Sequence, residues 1–103
     1  MAEQKPLALF AAETPLVADA FDEVIKAISA LDGLDNKTRQ LIYIGIKASQ
    51  GDLTAVRAHT PMAKSAGATR EEIRDTIVLT LAVSGVKGIV TCLPGALDIY
   101  DNC

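Results

Sequence analysis

Two side chains in this sequence have the chemistry of a catalytic group. His59 is the only histidine of the chain, and an imidazole exchanges a proton near neutral pH. Cys92 stands before Leu93-Pro94-Gly95, where we expect the backbone hydrogen bonding to be broken. A thiol there becomes a nucleophile if a neighbouring His59 lowers its pKa. The sequence therefore offers an imidazole and a thiol as candidate catalytic groups.

Each candidate also has a purely structural interpretation. A lone histidine on an alanine-rich helix is often a hydrogen-bonded polar group at the edge of the core. A buried cysteine without a partner packs as a small hydrophobic side chain. Asp52 is interpreted as a helix cap rather than a catalytic carboxylate. Arg57, two residues before His59, is expected to point away from it on a helix, and Cys103 is given no chemical role.

The composition narrows the range of partners and cofactors. The net charge of −3 and the scattered basic residues argue against nucleic acid. The sequence has one histidine and no clustered cysteines or carboxylates, so we expect no metal site. It has no glycine-rich phosphate loop, so we expect no nucleotide cofactor. No apolar run is long enough to span a membrane, and two cysteines are too few for a disulfide framework. We therefore expect a cytoplasmic protein without metal or cofactor.

The elements that must position these side chains are helices. Apolar residues at helical spacing, with caps and breakers between them, predict an all-α fold of about five helices and no strand. The predicted helices cover residues 14–33, 35–50, 52–67, 69–85 and 86–100.

Caps and breakers set the predicted ends of these helices. Thr14, Asp35 and Asp52 are predicted N-terminal caps, and residues 69–72 match a capping box. Pro61 predicts a kink or a break in the third helix, next to His59.

The last predicted helix carries three residues that bear on its shape. Pro94-Gly95 is expected to interrupt this helix. Gly88 and Gly95 would allow close approach of another helix or access by a ligand.

The length of 103 residues predicts a single domain, which we place at residues 13–103. Residues 1–12 are interpreted as an ordered N-terminal arm that packs on the body or on a neighbouring subunit. Half of the residues are hydrophobic, which is more than one small core is expected to bury. We therefore expect part of the apolar surface to lie in a subunit interface.

Three segments together resemble a known family. They are Leu34-Asp35-Asn36-Lys37-Thr38-Arg39, then His59, then Gly67-Ala68-Thr69-Arg70-Glu71-Glu72-Ile73. In this order and spacing they resemble the carboxymuconolactone decarboxylase and alkyl hydroperoxidase D-like family, over roughly residues 34–98. The resemblance implies an all-α helical bundle that assembles into a homotrimer or homohexamer.

The redox branch of that family carries Cys-x-x-Cys-x-x-x-His, with a proton-relaying glutamate one helix earlier. By the resemblance, the cysteines correspond to Asp52 and Ala55, the histidine to His59 and the glutamate to Gln40. A peroxide-reducing cycle needs one thiolate to attack and a second thiol to resolve the disulfide. We therefore expect no thiol peroxidase activity by the family's usual route.

The decarboxylase branch is similar to this chain because it needs the histidine and not the cysteine pair. Its chemistry implies His59 as the proton donor or acceptor, with Arg57, Lys37 or Arg39 holding a substrate carboxylate. We predict a cofactor-independent lyase acting on a small carboxylic acid or lactone in a pocket near His59. The alternatives are a peroxidase-like oxidoreductase using Cys92 and a non-catalytic oligomeric ligand-binding protein.

Overall fold

The computed structural model describes residues 5–103, and this part of the chain is helical, with no strand. The predicted all-α fold is therefore confirmed. The helices are α1 (Pro6–Glu13), α2 (Pro15–Ser29), α3 (Asn36–Ser49), α4 (Leu53–Ser65), α5 (Arg70–Leu79), α6 (Leu81–Ser84) and α7 (Lys87–Asn102). None of these helices has both the length and the apolar character needed to cross a bilayer.

The chain divides into two compact units, one ending at Gly33 and the other comprising Leu34–Cys103. In the first unit, α1 packs against α2 and the rings of Phe10 and Phe21 meet edge to face, with centroids 6.1 Å apart. Ala18 is the one buried residue among those described in this unit. The boundary that we predicted at residue 13 stays a prediction.

The N-terminal arm predicted for residues 1–12 contains a helix. Residues 1–4 lie outside the described part of the chain, and Pro6–Glu13 forms α1. Proline at the first helical position has a favourable φ, and the alanines that follow have high helix propensity. Thr14 does not cap α2 as predicted, because its hydroxyl donates to the Phe10 carbonyl at 3.0 Å.

The other predicted helix starts are confirmed by hydrogen bonds. The Asp35 carboxylate accepts from the Thr38 backbone N–H at 2.7 Å, and Asp52 accepts from that of Ala55 at 3.0 Å. Thr69 and Glu72 form both hydrogen bonds of the capping box at the start of α5. Each cap satisfies backbone donors that have no partner inside the helix.

Neither proline inside a predicted helix divides it. The α4 helix runs unbroken through Pro61, and α7 runs unbroken through Pro94 and Gly95. Proline removes the hydrogen bond to the carbonyl four residues earlier, which here belongs to Arg57 or to Val90. Both of these residues are exposed, so water can satisfy the two carbonyls. Of the kink or break predicted at Pro61, the break does not occur, and the interruption predicted at Pro94-Gly95 was wrong.

The core of the second unit lies where α3, α4, α5 and α7 meet. Its fully buried side chains are Ile44, Val56, Thr60, Ile73, Ile77 and Cys92. The α7 helix approaches α3 closely at Gly88, which has no side chain. A Cβ at this position would lie 2.8 Å from the Ala48 carbonyl oxygen of α3. This packing holds α3 beside α4, and these two helices carry the groups described next.

Candidate functional site

His59 is half-buried on α4 and forms a hydrogen bond to α3. Its Nδ1 lies 2.8 Å from Oε1 of Gln40, nineteen residues earlier in the chain. An amide oxygen can only accept, so Nδ1 carries the proton and donates it. The neutral ring then has its lone pair on Nε2. Gln40 therefore sets His59 in the tautomer in which Nε2 can accept a proton.

Tyr43 and Lys47 complete the surroundings of His59. The Tyr43 ring stacks on the imidazole, with centroids 3.6 Å apart and planes 23° apart. The Lys47 ammonium lies 5.9 Å from the centroid of the Tyr43 ring. Gln40, Tyr43 and Lys47 are three and four residues apart, so they lie along one face of α3. Our sequence analysis missed Tyr43 and Lys47, although this spacing from Gln40 was visible.

The pKa of His59 is lowered from its ordinary value of 6.5. Burial is the larger cause, since it disfavours the charged imidazolium, and the positive charge of Lys47 acts in the same direction. Neutral imidazole therefore predominates at neutral pH. An imidazole in this state is ready to take a proton, and its conjugate acid gives that proton up more readily than an exposed histidine would.

Cys92 lies in the core of the second unit and is fully buried on α7. Burial raises the pKa of its thiol, and the negative charge of Asp52 raises it further. The alternative in which a neighbouring His59 lowers this pKa and activates the thiol is not supported, because the direction is the opposite. In this environment Cys92 packs as a small apolar side chain.

Of the remaining candidate residues, Asp52 and Lys37 have structural partners. Asp52 caps α4 as predicted, and its other carboxylate oxygen lies 3.7 Å from Lys47 Nζ. Lys37 pairs with Glu72 at 3.0 Å. Arg57 is exposed on α4, and Cys103 is exposed at the end of the described chain.

A cavity of about 390 Å³ lies on another side of α3, away from the histidine. It is lined mostly by aliphatic and threonine side chains of α3, α5 and α6, including Leu41, Ile42, Ile46, Leu79 and Val83. By the helical period, these α3 positions lie roughly opposite Gln40 and Tyr43. The pocket that we expected near His59 is therefore not this cavity, whose walls include neither His59 nor Cys92.

Metal ligands are not brought together in residues 5–103. No group of three or more histidine, cysteine, aspartate or glutamate side chains converges there in a way that could hold an ion. The chemistry that the site can perform with its own residues is proton transfer at His59.

Comparison with known proteins identifies a family for this chain. The family model described as "Carboxymuconolactone decarboxylase family" matches residues 15–97, from the start of α2 into α7. The chain belongs to the carboxymuconolactone decarboxylase family. The matched region contains Gln40, Tyr43, Lys47 and His59.

The chain is also similar to two uncharacterised proteins of Methanocaldococcus jannaschii. MJ0742 is 38% identical over 79 residues, which cover 73% of this chain and 76% of that protein. MJ1511 is 27% identical over 90 residues, which cover 86% of this chain and 84% of that protein. Neither name states an activity.

A solved structure has the same fold. It is the apo form of lpg0406, a carboxymuconolactone decarboxylase family protein from Legionella pneumophila. The TM-score is 0.78 at 24% identity, and the match covers 93% of this chain and 85% of that one. At this identity the likeness bears on the fold alone.

Proposed function

We propose that this protein is a cofactor-independent lyase that acts on a small carboxylic acid or lactone, with His59 as the proton-transfer group. The observation that carries the proposal is the hydrogen bond between His59 Nδ1 and Gln40 Oε1. It leaves Nε2 as the nitrogen that accepts a proton, and a lowered pKa keeps the ring neutral until it does so. Membership of the carboxymuconolactone decarboxylase family supports the reaction class.

The proposed reaction breaks one carbon–carbon bond and forms one carbon–hydrogen bond. When carbon dioxide leaves, the electron pair of the broken bond stays on the neighbouring carbon as a carbanion or enolate. His59, which has taken a proton from solvent on Nε2, delivers that proton to this carbon and returns to the neutral form. Burial and the charge of Lys47 make the imidazolium a stronger acid and so favour this delivery.

The proposal is tested on the untagged chain, because its single histidine gives an unambiguous nuclear magnetic resonance signal. Nitrogen-15 shifts of the ring should report a neutral tautomer with the proton on Nδ1. A proton on Nε2 instead would contradict the proposal.

Activity is tested with a panel of small lactones and unsaturated carboxylic acids, by following loss of carbon dioxide. On any substrate that reacts, His59→Gln should lower the rate by about 10²- to 10⁴-fold, the usual contribution of a proton-transfer group. Arg57→Gln, two residues away on the same helix and exposed, is the matched control and should keep its activity. A folded His59→Gln protein with unchanged activity would refute the role of His59.

The other two functions that we considered have less support. A peroxidase-like reaction through Cys92 needs an accessible thiolate, whereas this thiol is fully buried and its pKa is raised. Labelling of the native protein by a thiol reagent at the rate of an accessible thiol would revive that alternative. A purely ligand-binding role does not need the neutral, oriented imidazole.

We also infer that the chain assembles with copies of itself, as a homotrimer or homohexamer. The support is its exposed aliphatic surface, including Leu16 at 84%, Leu79 at 68% and Val83 at 82% exposure. Large apolar side chains exposed in this number on a soluble protein often mark interfaces.

A further inference from the structure

The proposed reaction needs a cation near His59 to hold the substrate carboxylate, and the geometry narrows the choice. Lys37 is already paired with Glu72 at 3.0 Å. Arg57 is exposed and precedes His59 by two positions, so it projects from a different side of α4. Arg39 is four residues before Tyr43 and Lys37 is three before Gln40, so both lie within one turn of these groups on α3. Neither is among the charges that lower the pKa of His59, whereas Lys47 is.

Lys47 shares a face of α3 with Gln40 and Tyr43. It is four residues after Tyr43 and seven after Gln40, which is two turns along the same side of α3. Its ammonium lies 5.9 Å from the Tyr43 ring centroid, and that ring stacks on His59 at 3.6 Å. The charge of Lys47 also contributes to the lowered pKa of His59, which agrees with their proximity.

The partner that Lys47 has in this structure is easy to replace. Its Nζ lies 3.7 Å from the Asp52 carboxylate, longer than a good charge-assisted hydrogen bond, and the two side chains are 31% and 40% exposed. Asp52 is also held by the Ala55 backbone N–H, so it keeps a hydrogen-bond partner without the lysine. An incoming carboxylate can therefore take its place beside Lys47.

We infer that Lys47 binds the carboxylate of a small organic acid, displacing Asp52 and bringing the acid's carbon skeleton to the Tyr43–His59 pair. This inference rests on the proposed function, because it names the group that positions the substrate for His59. Lys47 thus acts as a substrate-binding residue, and Asp52 acts as a counter-ion that competes with the ligand. The ligand class is a small carboxylate.

The test titrates the untagged chain with benzoate and follows the His59 ring by nuclear magnetic resonance. Benzoate should shift the ring signals in a saturable way and should raise the pKa of His59, because an added anion favours the imidazolium. Benzamide, which has the same size and no charge, should do neither. A titration in which benzoate gives no saturable shift would overturn the inference.

Substitutions then assign the binding to Lys47. Lys47→Met should weaken benzoate binding by at least about tenfold, because a charge-assisted hydrogen bond is lost, and Lys47→Arg should restore it. Asp52→Asn keeps a helix-capping side chain and removes the competing charge, so it should tighten binding. Arg57→Met is the matched control and should bind as the unmodified chain does. Equal binding by folded Lys47→Met and unmodified protein would overturn the inference.

Failure of this inference can be told apart from failure of the proposed function. His59→Gln retains Lys47, so ligand-observed resonance should still detect benzoate binding to it while catalysis is lost. If Lys47→Met binds normally and His59→Gln is inactive, the anion site is wrong and the proton-transfer role stands. If Lys47→Met fails to bind and His59→Gln stays active, the anion site stands and the proton-transfer role of His59 is wrong.

Discussion

At the scale of single residues, the amide of Gln40 decides which proton chemistry His59 can perform. An amide oxygen fixes the proton on Nδ1 and adds no charge, so burial and Lys47 are left to lower the pKa of the imidazole. A carboxylate in the same place would accept the same hydrogen bond and would favour the imidazolium. The exchange of one side chain therefore separates a neutral imidazole, which can accept a proton, from an imidazolium, which can only donate one.

The first prediction changes that residue. Gln40→Glu should raise the pKa of His59, since a negative charge within hydrogen-bond distance stabilises the imidazolium. The measurement is a resonance titration of the single histidine. Ser84→Glu adds the same charge at an exposed position of α6, on the cavity side of α3, and should leave this pKa where it is. An unchanged value in Gln40→Glu would mean that the two side chains do not interact in solution.

The second prediction concerns stability against pH. The folded pKa of His59 lies below its ordinary value of 6.5, so the unfolded chain takes up this proton first as the pH falls. The histidine therefore lowers the free energy of unfolding as the pH falls through about 6.5 toward the folded pKa, and has no such effect above that window. Denaturant unfolding of the unmodified chain should lose more stability over this window than unfolding of His59→Gln. Parallel curves for the two proteins would contradict the lowered pKa.

At the scale of elements, α3 presents different side chains on different sides. One side carries Gln40, Tyr43 and Lys47 toward His59, another buries Ile44 and Ala48 in the core, and the rest lines the apolar cavity. A helix with this many contacts must be held closely by its neighbours. Substituting the glycines that permit such contacts is therefore expected to change the stability of the fold.

The third prediction compares two helical glycines. Gly88→Ala places a Cβ 2.8 Å from the Ala48 carbonyl oxygen and from Thr80 Oγ1, so we expect a loss of about 1–3 kcal/mol from overpacking. Gly45→Ala meets only Thr76 Cγ2 at 3.4 Å, so the better helix propensity of alanine should give a gain of up to about 1 kcal/mol. Chemical denaturation measures both. The same sign for the two variants would argue against the close approach of α7 to α3.

The fourth prediction concerns the start of α5. Thr69→Ala removes the hydroxyl that accepts from the Glu72 N–H and should cost about 1 kcal/mol of stability. Thr14→Ala is a useful comparison, because that hydroxyl makes no cap to α2 and donates to an exposed carbonyl instead. We expect a smaller loss there, measured by the same denaturation. A larger loss for Thr14→Ala would mean that the capping box contributes little.

At the scale of the whole molecule, the main question is why large aliphatic side chains are exposed to solvent. Within the second unit, Ile46 is 54% exposed and Leu79 is 68% exposed, both on the wall of the apolar cavity. Water is a poor environment for these side chains, and burying them between subunits would be favourable.

The fifth prediction tests this surface. Leu79→Glu should shift the chain toward a smaller assembly, because a charge on the cavity wall opposes apolar contact. Light scattering after size-exclusion chromatography, at several concentrations, measures the mass. Thr54→Glu adds the same charge at an exposed polar position of α4 and should leave the mass unchanged. A monomeric mass for the unmodified chain at every concentration would refute the proposed assembly.

Much of the fold follows from short-range signals in the sequence. Asp35, Asp52 and Thr69 each cap a backbone N–H three residues ahead, so local sequence was enough to predict three helix starts. No break occurs at Pro61, and the interruption predicted at Pro94 was wrong, because the cost of a helical proline depends on whether the freed carbonyl can reach water. That depends on exposure, which the sequence does not state.

The sequence alone determined the class of fold, most of the helices and the family resemblance through His59. The tertiary structure decided that His59 meets Gln40 and Tyr43, that Lys47 is the neighbouring cation, and that Cys92 is buried. The physical reason is range. Caps and helical periodicity are set by residues a few positions apart, whereas the pKa of a side chain is set by whatever packing brings beside it.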